Sequence, residues 1–163
     1  MTTLDTRSTL RDGRSVNLPQ LPDPTDRAHV PAASLVEAVQ AAVRAISSNS
    51  YHPVCSPGAG MAFQAPALAA LLSFYYASDI YSSADIEDAM GRDAEFRIMC
   101  GGEFPDKRTL RKFRRHNREV IEQCLYKVLQ FIAKRNGTHM SEGDLLADVH
   151  QRVTTAIAMD MED

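Results

Sequence analysis

The chain has 163 residues, 44% of them hydrophobic, and a formal net charge of −3. This length fits one domain with tails, and the composition excludes both a wholly disordered chain and a uniformly basic nucleic-acid coat. No apolar run reaches the roughly 20 residues that a membrane-spanning helix needs, and Met1 to Leu18 contain no apolar segment of the signal-peptide type. We therefore expect a cytoplasmic protein without membrane contact.

The first elements in chain order are a tail, a helix and a loop. Residues 1–33 contain four prolines and no periodic apolar stripe, which predicts a disordered tail. Ser34 is a candidate N-cap for a first helix, because apolar residues then recur at helical spacing as far as Ile46. Prolines and glycines between Ser47 and Gly60 predict a loop.

The middle of the chain predicts a buried helix followed by shorter ones. Residues 61–78 are apolar on nearly every side of a helix, which is typical of the centre of a small domain. Ser82 and Ser83 offer caps for a third, short helix. Another short helical piece is predicted over residues 91–99, closed by a turn at Gly101-Gly102.

Pro105 and Asp106 open the longest predicted helix, which should continue to about Arg135. A last amphipathic segment follows, with its apolar residues between Leu145 and Ile157, and the chain then ends in an acidic stretch. Strand-like alternation is absent. The predicted fold class is all-α, a small multi-helix domain with one long basic helix. The predicted division is a tail at residues 1–33, a helical domain at 34–137, and an amphipathic helix with an acidic tail at 138–163.

The most informative stretch runs from Lys107 to Arg118, where seven of twelve residues are Lys or Arg and none is acidic. On a helical wheel, most of these cations share one stripe, and Leu110 and Phe113 fall on another side. Like charges at this spacing repel by about 0.2–0.5 kcal/mol per pair, and phosphate contacts would offset that cost by releasing counterions. The predicted DNA-binding residues are Lys107, Arg108, Arg111, Lys112, Arg114, Arg115 and Arg118.

The same stripe has a simpler interpretation as a solvated face. Some of its arginines would then pair with acids such as Asp85 or Asp88. The stretch from Glu142 to Asp163 carries six acids against Arg152 alone and would fold over the stripe and mask it.

An ordered series of short motifs runs from Phe63 to His116. The motifs are Leu71-Leu72-Ser73-Phe74-Tyr75-Tyr76, Tyr81-Ser82-Ser83, Ile86-Glu87, Phe96-Arg97, Gly101-Gly102, Pro105-Asp106, Thr109-Leu110 and Phe113-Arg114-Arg115-His116. In order and spacing this series resembles the amino-terminal domain of transposases of the InsH type. The resemblance implies a bacterial insertion-sequence protein and a helical, DNA-binding domain that recognises transposon ends or regulates transposition.

Family transposases continue into a ribonuclease-H-like domain whose acidic triad binds metal ions. Since the chain ends where that domain would begin, we expect a non-catalytic protein with no catalytic residue, no metal and no cofactor. His52 and Cys55 have metal-like spacing, but a second pair of ligands for zinc is missing. Asp160, Glu162 and Asp163 are interpreted as solvated acids at a free terminus.

The expected partners are double-stranded DNA and, as alternatives, a second copy of the chain or a full-length transposase. In the interaction alternative, the domain is a dimerisation module that pairs through its apolar second helix or its last helix. A decayed transposase fragment without a role is a third interpretation that the sequence leaves open.

Overall fold

The computed structural model describes residues 32–54, 63–93 and 104–162, and every regular element within these ranges is helical. The α-helices are α1 (Ala32–Arg44), α2 (Ala65–Ala77), α3 (Ser83–Arg92), α4 (Lys107–His116), α5 (Arg118–Arg135) and α6 (Glu142–Glu162), with a 3-10 turn at Ser48–Ser50. The all-α prediction is confirmed for this part of the chain. The predictions for residues 1–31, for most of the helical piece at 91–99 and for the Gly101-Gly102 turn lie outside the described residues.

Helix α5 is the centre of the bundle and packs against α1, α2, α4 and α6. Apolar residues recur at helical spacing along α5, so they lie on one side of the helix and are buried against its neighbours. They include Val120, Ile121, Cys124, Leu125, Val128 and Leu129. Burial raises the pKa of the Cys124 thiol to about 11, so this cysteine behaves as a small apolar residue rather than as a nucleophile.

Helix α2 is buried along nearly all of its length, as its composition predicts. Every residue from Leu68 to Tyr76 is buried, because α2 touches α1, α4, α5 and α6. It begins at Ala65, and Pro66 in its first turn fits a helix start, where the missing N–H has no intrahelical partner. Helix α1 begins at Ala32, two residues before the predicted cap at Ser34.

The prediction of one continuous helix from Asp106 to Arg135 is wrong, because the chain bends at Asn117. This residue has φ −124° and ψ 27°, so α4 ends before it and α5 begins after it. The buried Asn117 side chain accepts from the backbone N–H of His52 at 2.6 Å and donates to the carbonyl oxygen of His52 at 2.9 Å. The bend is therefore held by a contact with His52, which is distant in sequence. The apolar pattern of residues 106–135 does not predict this bend.

Two predicted helix starts are confirmed by their caps. The Ser82 side chain accepts from the N–H of Asp85 at 3.0 Å, and the Asp106 side chain accepts from the N–H of Thr109 at 2.8 Å. Each contact satisfies one N–H that has no partner inside the helix. The hydrogen bond from Thr109 lowers the pKa of the Asp106 carboxyl.

We expect Asp106→Ala to lower the free energy of unfolding by about 1 kcal/mol, because α4 loses the hydrogen bond at its N-cap. Asp106→Asn keeps an oxygen acceptor and should cost only a few tenths of a kcal/mol through the lost charge. Urea denaturation of both variants measures the difference. Equal losses in the two variants would contradict the role of the hydrogen bond.

The predicted amphipathic segment after residue 138 forms α6, which is longer than its apolar stripe suggests. Its buried residues Leu145, Val149, Val153 and Ala156 belong to the same core as those of α2 and α5. Within the described ranges, no helix combines the length and the apolar character that crossing a membrane requires.

Candidate nucleic-acid interface

Helix α4 has a basic face that the solvent reaches. Lys107, Arg108, Lys112 and Arg115 are exposed, whereas Thr109, Leu110 and Phe113 point into the bundle and are buried. The helix contains no acidic residue. We call Lys107, Arg108, Arg111, Lys112 and Arg115 the α4 basic face. Because Phe113 and Leu110 are fully buried, they fix which side of α4 is turned outward.

The exposed face is rotated relative to the stripe that the wheel predicts. The side chain of Arg114 is only 5% exposed, and that of Arg111 is 28% exposed. Arg118 lies beyond the bend, in the first turn of α5, where its Nε donates to Oε1 of Glu122 at 2.9 Å. The centre of the basic face therefore carries Arg108 and Arg115, and placing Arg114 on the exposed stripe was wrong.

Arg114 lies instead in a buried polar cluster between α2, α4 and α6. Its Nη1 donates to the hydroxyl oxygen of Tyr76 at 2.9 Å, and its Nη2 donates to Oδ2 of Asp160. Burial by itself lowers the pKa of Arg114, but Tyr76 and Asp160 outweigh that effect and raise it. The guanidinium is charged, and its charge is compensated inside the protein.

Asp160 joins the last helix to the start of α3. The backbone N–H of Ser83 donates to Oδ1 of Asp160 at 2.8 Å, and the Ser83 hydroxyl donates to Oδ2 at 2.6 Å. Burial raises the pKa of Asp160, but the two bonds from Ser83 and the charge of Arg114 outweigh it and lower the pKa below its ordinary value. A carboxylate at the N-terminus of α3 is also favoured by the helix dipole.

Interpreting Asp160 as a solvated terminal acid was therefore wrong. Its side chain is 5% exposed, and Oδ2 also lies 3.5 Å from Nε of Arg111. The alternative in which the acidic segment folds over the basic stripe is correct for Arg111 and Arg114. A sequence signal existed, because Asp160 continues the spacing of the buried Val149, Val153 and Ala156 along α6.

A second ion-pair cluster attaches α6 to the turn between α2 and α3. Nη1 of Arg152 donates to the carbonyl oxygen of Tyr76 at 2.7 Å and to Oδ1 of Asp79 at 2.9 Å, and Nε donates to Oδ1 of Asp148 at 3.0 Å. Asp79 has a φ of 62°, a left-handed conformation that usually favours glycine or asparagine. Its carboxylate also accepts from the Tyr81 hydroxyl at 2.8 Å. Burial and this hydrogen bond raise the pKa of Tyr81 to about 12.

The other histidine and cysteine candidates do not form a site in the described part of the chain. His116 is exposed, with Nδ1 at 2.8 Å from the carbonyl oxygen of Lys112, which fits a helix-surface residue. Cys55, the proposed companion of His52, lies outside the described residues. Within the described ranges, no group of three or more His, Cys, Asp or Glu residues is placed to hold a metal ion.

A family model described as "Transposase domain (DUF772)" matches residues 25–116. The chain belongs to this transposase-domain family. No curated protein and no solved structure matches the chain. The resemblance that the motifs from Phe63 to His116 carry is thereby confirmed.

The polar cluster around Arg114 includes residues inside the matched range and one residue outside it. The matched range contains α1 to α4 and therefore Tyr76, Ser83 and Arg114, and it ends at the last residue of α4. Helices α5 and α6 follow the matched range, so Asp160 is contributed from outside it. In this chain, α6, the second helix after the matched range, supplies the carboxylate for a buried arginine of the transposase domain.

Proposed function

We propose that this transposase domain binds double-stranded DNA, and that the α4 basic face contacts the phosphate backbone. The observation that carries the proposal is the exposure of Lys107, Arg108, Lys112 and Arg115 on one side of a helix that contains no acid. The buried side of the same helix packs on the bundle and holds this face in place. The proposal assigns binding, not catalysis, to these residues.

Electrostatics favour an anionic partner for this face. Neighbouring cations on a helix repel one another by about 0.2–0.5 kcal/mol per pair, and a phosphate backbone in contact with the face would offset this repulsion by releasing counterions. Asp160 compensates the charge of the buried Arg114 and also lies close to Arg111, at one edge of the α4 basic face. Arg108 and Arg115 lie on the solvent side of the helix and are the cations best placed to meet phosphates.

Phosphate contacts position a protein on DNA but carry no sequence information. We therefore expect the α4 basic face to supply affinity that is similar for unrelated duplexes. Recognition of transposon ends would require additional contacts with base edges. Regulation of transposition would follow if this domain occupied the same DNA as an active transposase.

The test replaces both Arg108 and Arg115 by Gln and measures binding to a fluorescent duplex over a range of salt concentrations. Each phosphate contact contributes about 0.9 to the slope of log K against log salt, so the slope should fall by about two. At low salt the affinity should fall by about tenfold, a loss of about 1.4 kcal/mol. Unrelated duplexes should be affected equally.

The matched control replaces Arg44 and Arg135 by Gln, which removes the same net charge from the exposed ends of α1 and α5. This control should bind nearly as the unchanged protein does. Equal losses in the two double variants would mean that net charge, and not the α4 basic face, determines binding. If the affinity of the unsubstituted protein for DNA does not change with salt concentration, the proposal is contradicted.

A further inference from the structure

The bundle has an open groove between α5 and α6, on a side that the polar cluster does not use. Its volume is about 600 Å³. The lining includes Glu119, Glu122, Tyr126 and Lys127 of α5 and Leu146 and Val149 of α6. Leu146 is 52% exposed, although it adjoins the buried Leu145 and Val149 on the same helix. Together with Tyr126 and Val149 in the lining, Leu146 gives the groove a contiguous apolar strip, and apolar surface of this kind gains from being covered.

The outward face of α5 carries charges of opposite sign at its two ends. Glu119 and Glu122 lie in its first two turns, Tyr126 and Lys127 lie near its centre, and Lys134 lies in its last turn. These residues share one side of the helix at helical spacing, and all are exposed or half-buried. Glu122 is paired with Arg118 of the same chain, so Glu119 and Lys134 are the opposite charges that a second, antiparallel copy would complement.

The register of such a pair follows from the sequence. Glu119 precedes Tyr126 by as many residues as Lys134 follows Lys127. If a two-fold axis passes between Tyr126 and Lys127, each Glu119 therefore lies opposite the Lys134 of the other copy. The same axis brings the Lys127 of each copy to the Tyr126 ring of the other, a cation–π arrangement.

We propose that the groove between α5 and α6 binds a second copy of this chain, with the two α5 helices antiparallel about a two-fold axis. Interfaces of this kind are self-complementary, because the same patch serves both copies. Helix α5 is about 27 Å long at 1.5 Å per residue, and the resulting patch falls at the small end of specific interfaces. The dimer should accordingly be weak, with a Kd on the order of 10 μM.

The experiment is sedimentation equilibrium of the whole chain without DNA, over a range of protein concentrations. Glu119→Lys places a new lysine opposite Lys134 twice in the dimer, and Lys134→Glu places a new glutamate opposite Glu119 twice. Each single variant should raise the dimer Kd by about tenfold or more, because like charges then face each other. The double variant Glu119→Lys/Lys134→Glu restores both opposite-charge pairs and should return the Kd to within about threefold of the unchanged chain.

Two further variants complete the design. Leu146→Gln removes apolar surface at the groove rim and should also weaken the dimer, whereas Glu87→Lys, on the exposed side of α3, makes the same charge change as Glu119→Lys and should not. Thermal melting followed by circular dichroism checks that each variant is folded. The proposal is overturned if the unchanged chain is monomeric at about 500 μM, or if the double variant fails to recover the dimer that the single variants lose.

Discussion

Replacing Asp160 by Asn should lower the free energy of unfolding by about 3 kcal/mol, the largest loss that we expect from a single polar substitution in this protein. The reason is that Arg114 is buried and its guanidinium has Asp160 as its anionic partner. The neutral amide still offers an oxygen to the N–H of Ser83, but it leaves the buried charge of Arg114 without a counter-charge. Urea denaturation monitored by circular dichroism measures the loss.

A double-mutant cycle separates the ion pair from other effects of the substitution. Arg114→Met keeps an unbranched side chain of similar reach and removes the charge, and Asp160→Asn/Arg114→Met then removes both charges. The double variant should lose less stability than the two single variants together, with a coupling of about 1–3 kcal/mol. Additive losses would show that Asp160 acts on Ser83 alone.

The pH dependence provides an independent check of the same carboxylate. The pKa of Asp160 is lowered from its ordinary value of 3.8 in the folded chain. Its contribution to stability is therefore complete above that ordinary value and is lost as the pH falls through the lower pKa of the folded state. The stability difference between the unchanged protein and Asp160→Asn should be constant near neutral pH and should shrink below about pH 4.

Replacing Asn117 by Ala should lower the free energy of unfolding by about 2 kcal/mol, because the two hydrogen bonds that its side chain makes with the backbone of His52 would be lost, at about 1 kcal/mol each. The Asn117 side chain bonds to both the N–H and the carbonyl oxygen of His52, and Nδ2 also donates to the carbonyl oxygen of Phe113 at 3.2 Å. Alanine has good helix propensity and would favour joining α4 to α5 in one continuous helix. In the variant, the bent conformation would therefore compete with a straight helix that joins α4 to α5.

Two measurements distinguish a lost bend from a simple loss of hydrogen bonds. Asn117→Asp retains an acceptor for the N–H of His52 but cannot donate to its carbonyl oxygen when ionised, so it should lose part of the stability. Hydrogen exchange at the N–H of His52 should become faster in Asn117→Ala because its acceptor is gone. A variant with unchanged exchange at His52 and unchanged stability would be inconsistent with a role for Asn117 in the bend.

The DNA proposal and the dimer proposal depend on different surfaces and fail separately. The first depends on Arg108 and Arg115 of α4, and the second depends on Glu119 and Lys134 of α5. A dimer would carry two α4 basic faces, and binding would be strengthened only where both faces reach the same duplex. A monomer that binds DNA would leave the first proposal intact.

The sequence by itself determined the elements whose causes are local. Helical periodicity predicted the bundle, the composition of α2 predicted its burial, and Ser82 and Asp106 predicted two helix starts, because a cap and the helix that it begins are neighbours in the chain. The ordered motifs from Phe63 to His116 also indicated the transposase family, and the match over residues 25–116 confirms it.

Only the tertiary structure decided the features that join distant segments. The bend at Asn117 depends on His52, and the burial of Arg114 depends on Tyr76 and Asp160. A helical wheel gives the relative directions of the six cations in α4 but not which of them faces a neighbouring helix, because that depends on where α2 and α6 pack. The basic stripe was therefore predictable, whereas its division into a buried ion pair and an exposed face was not.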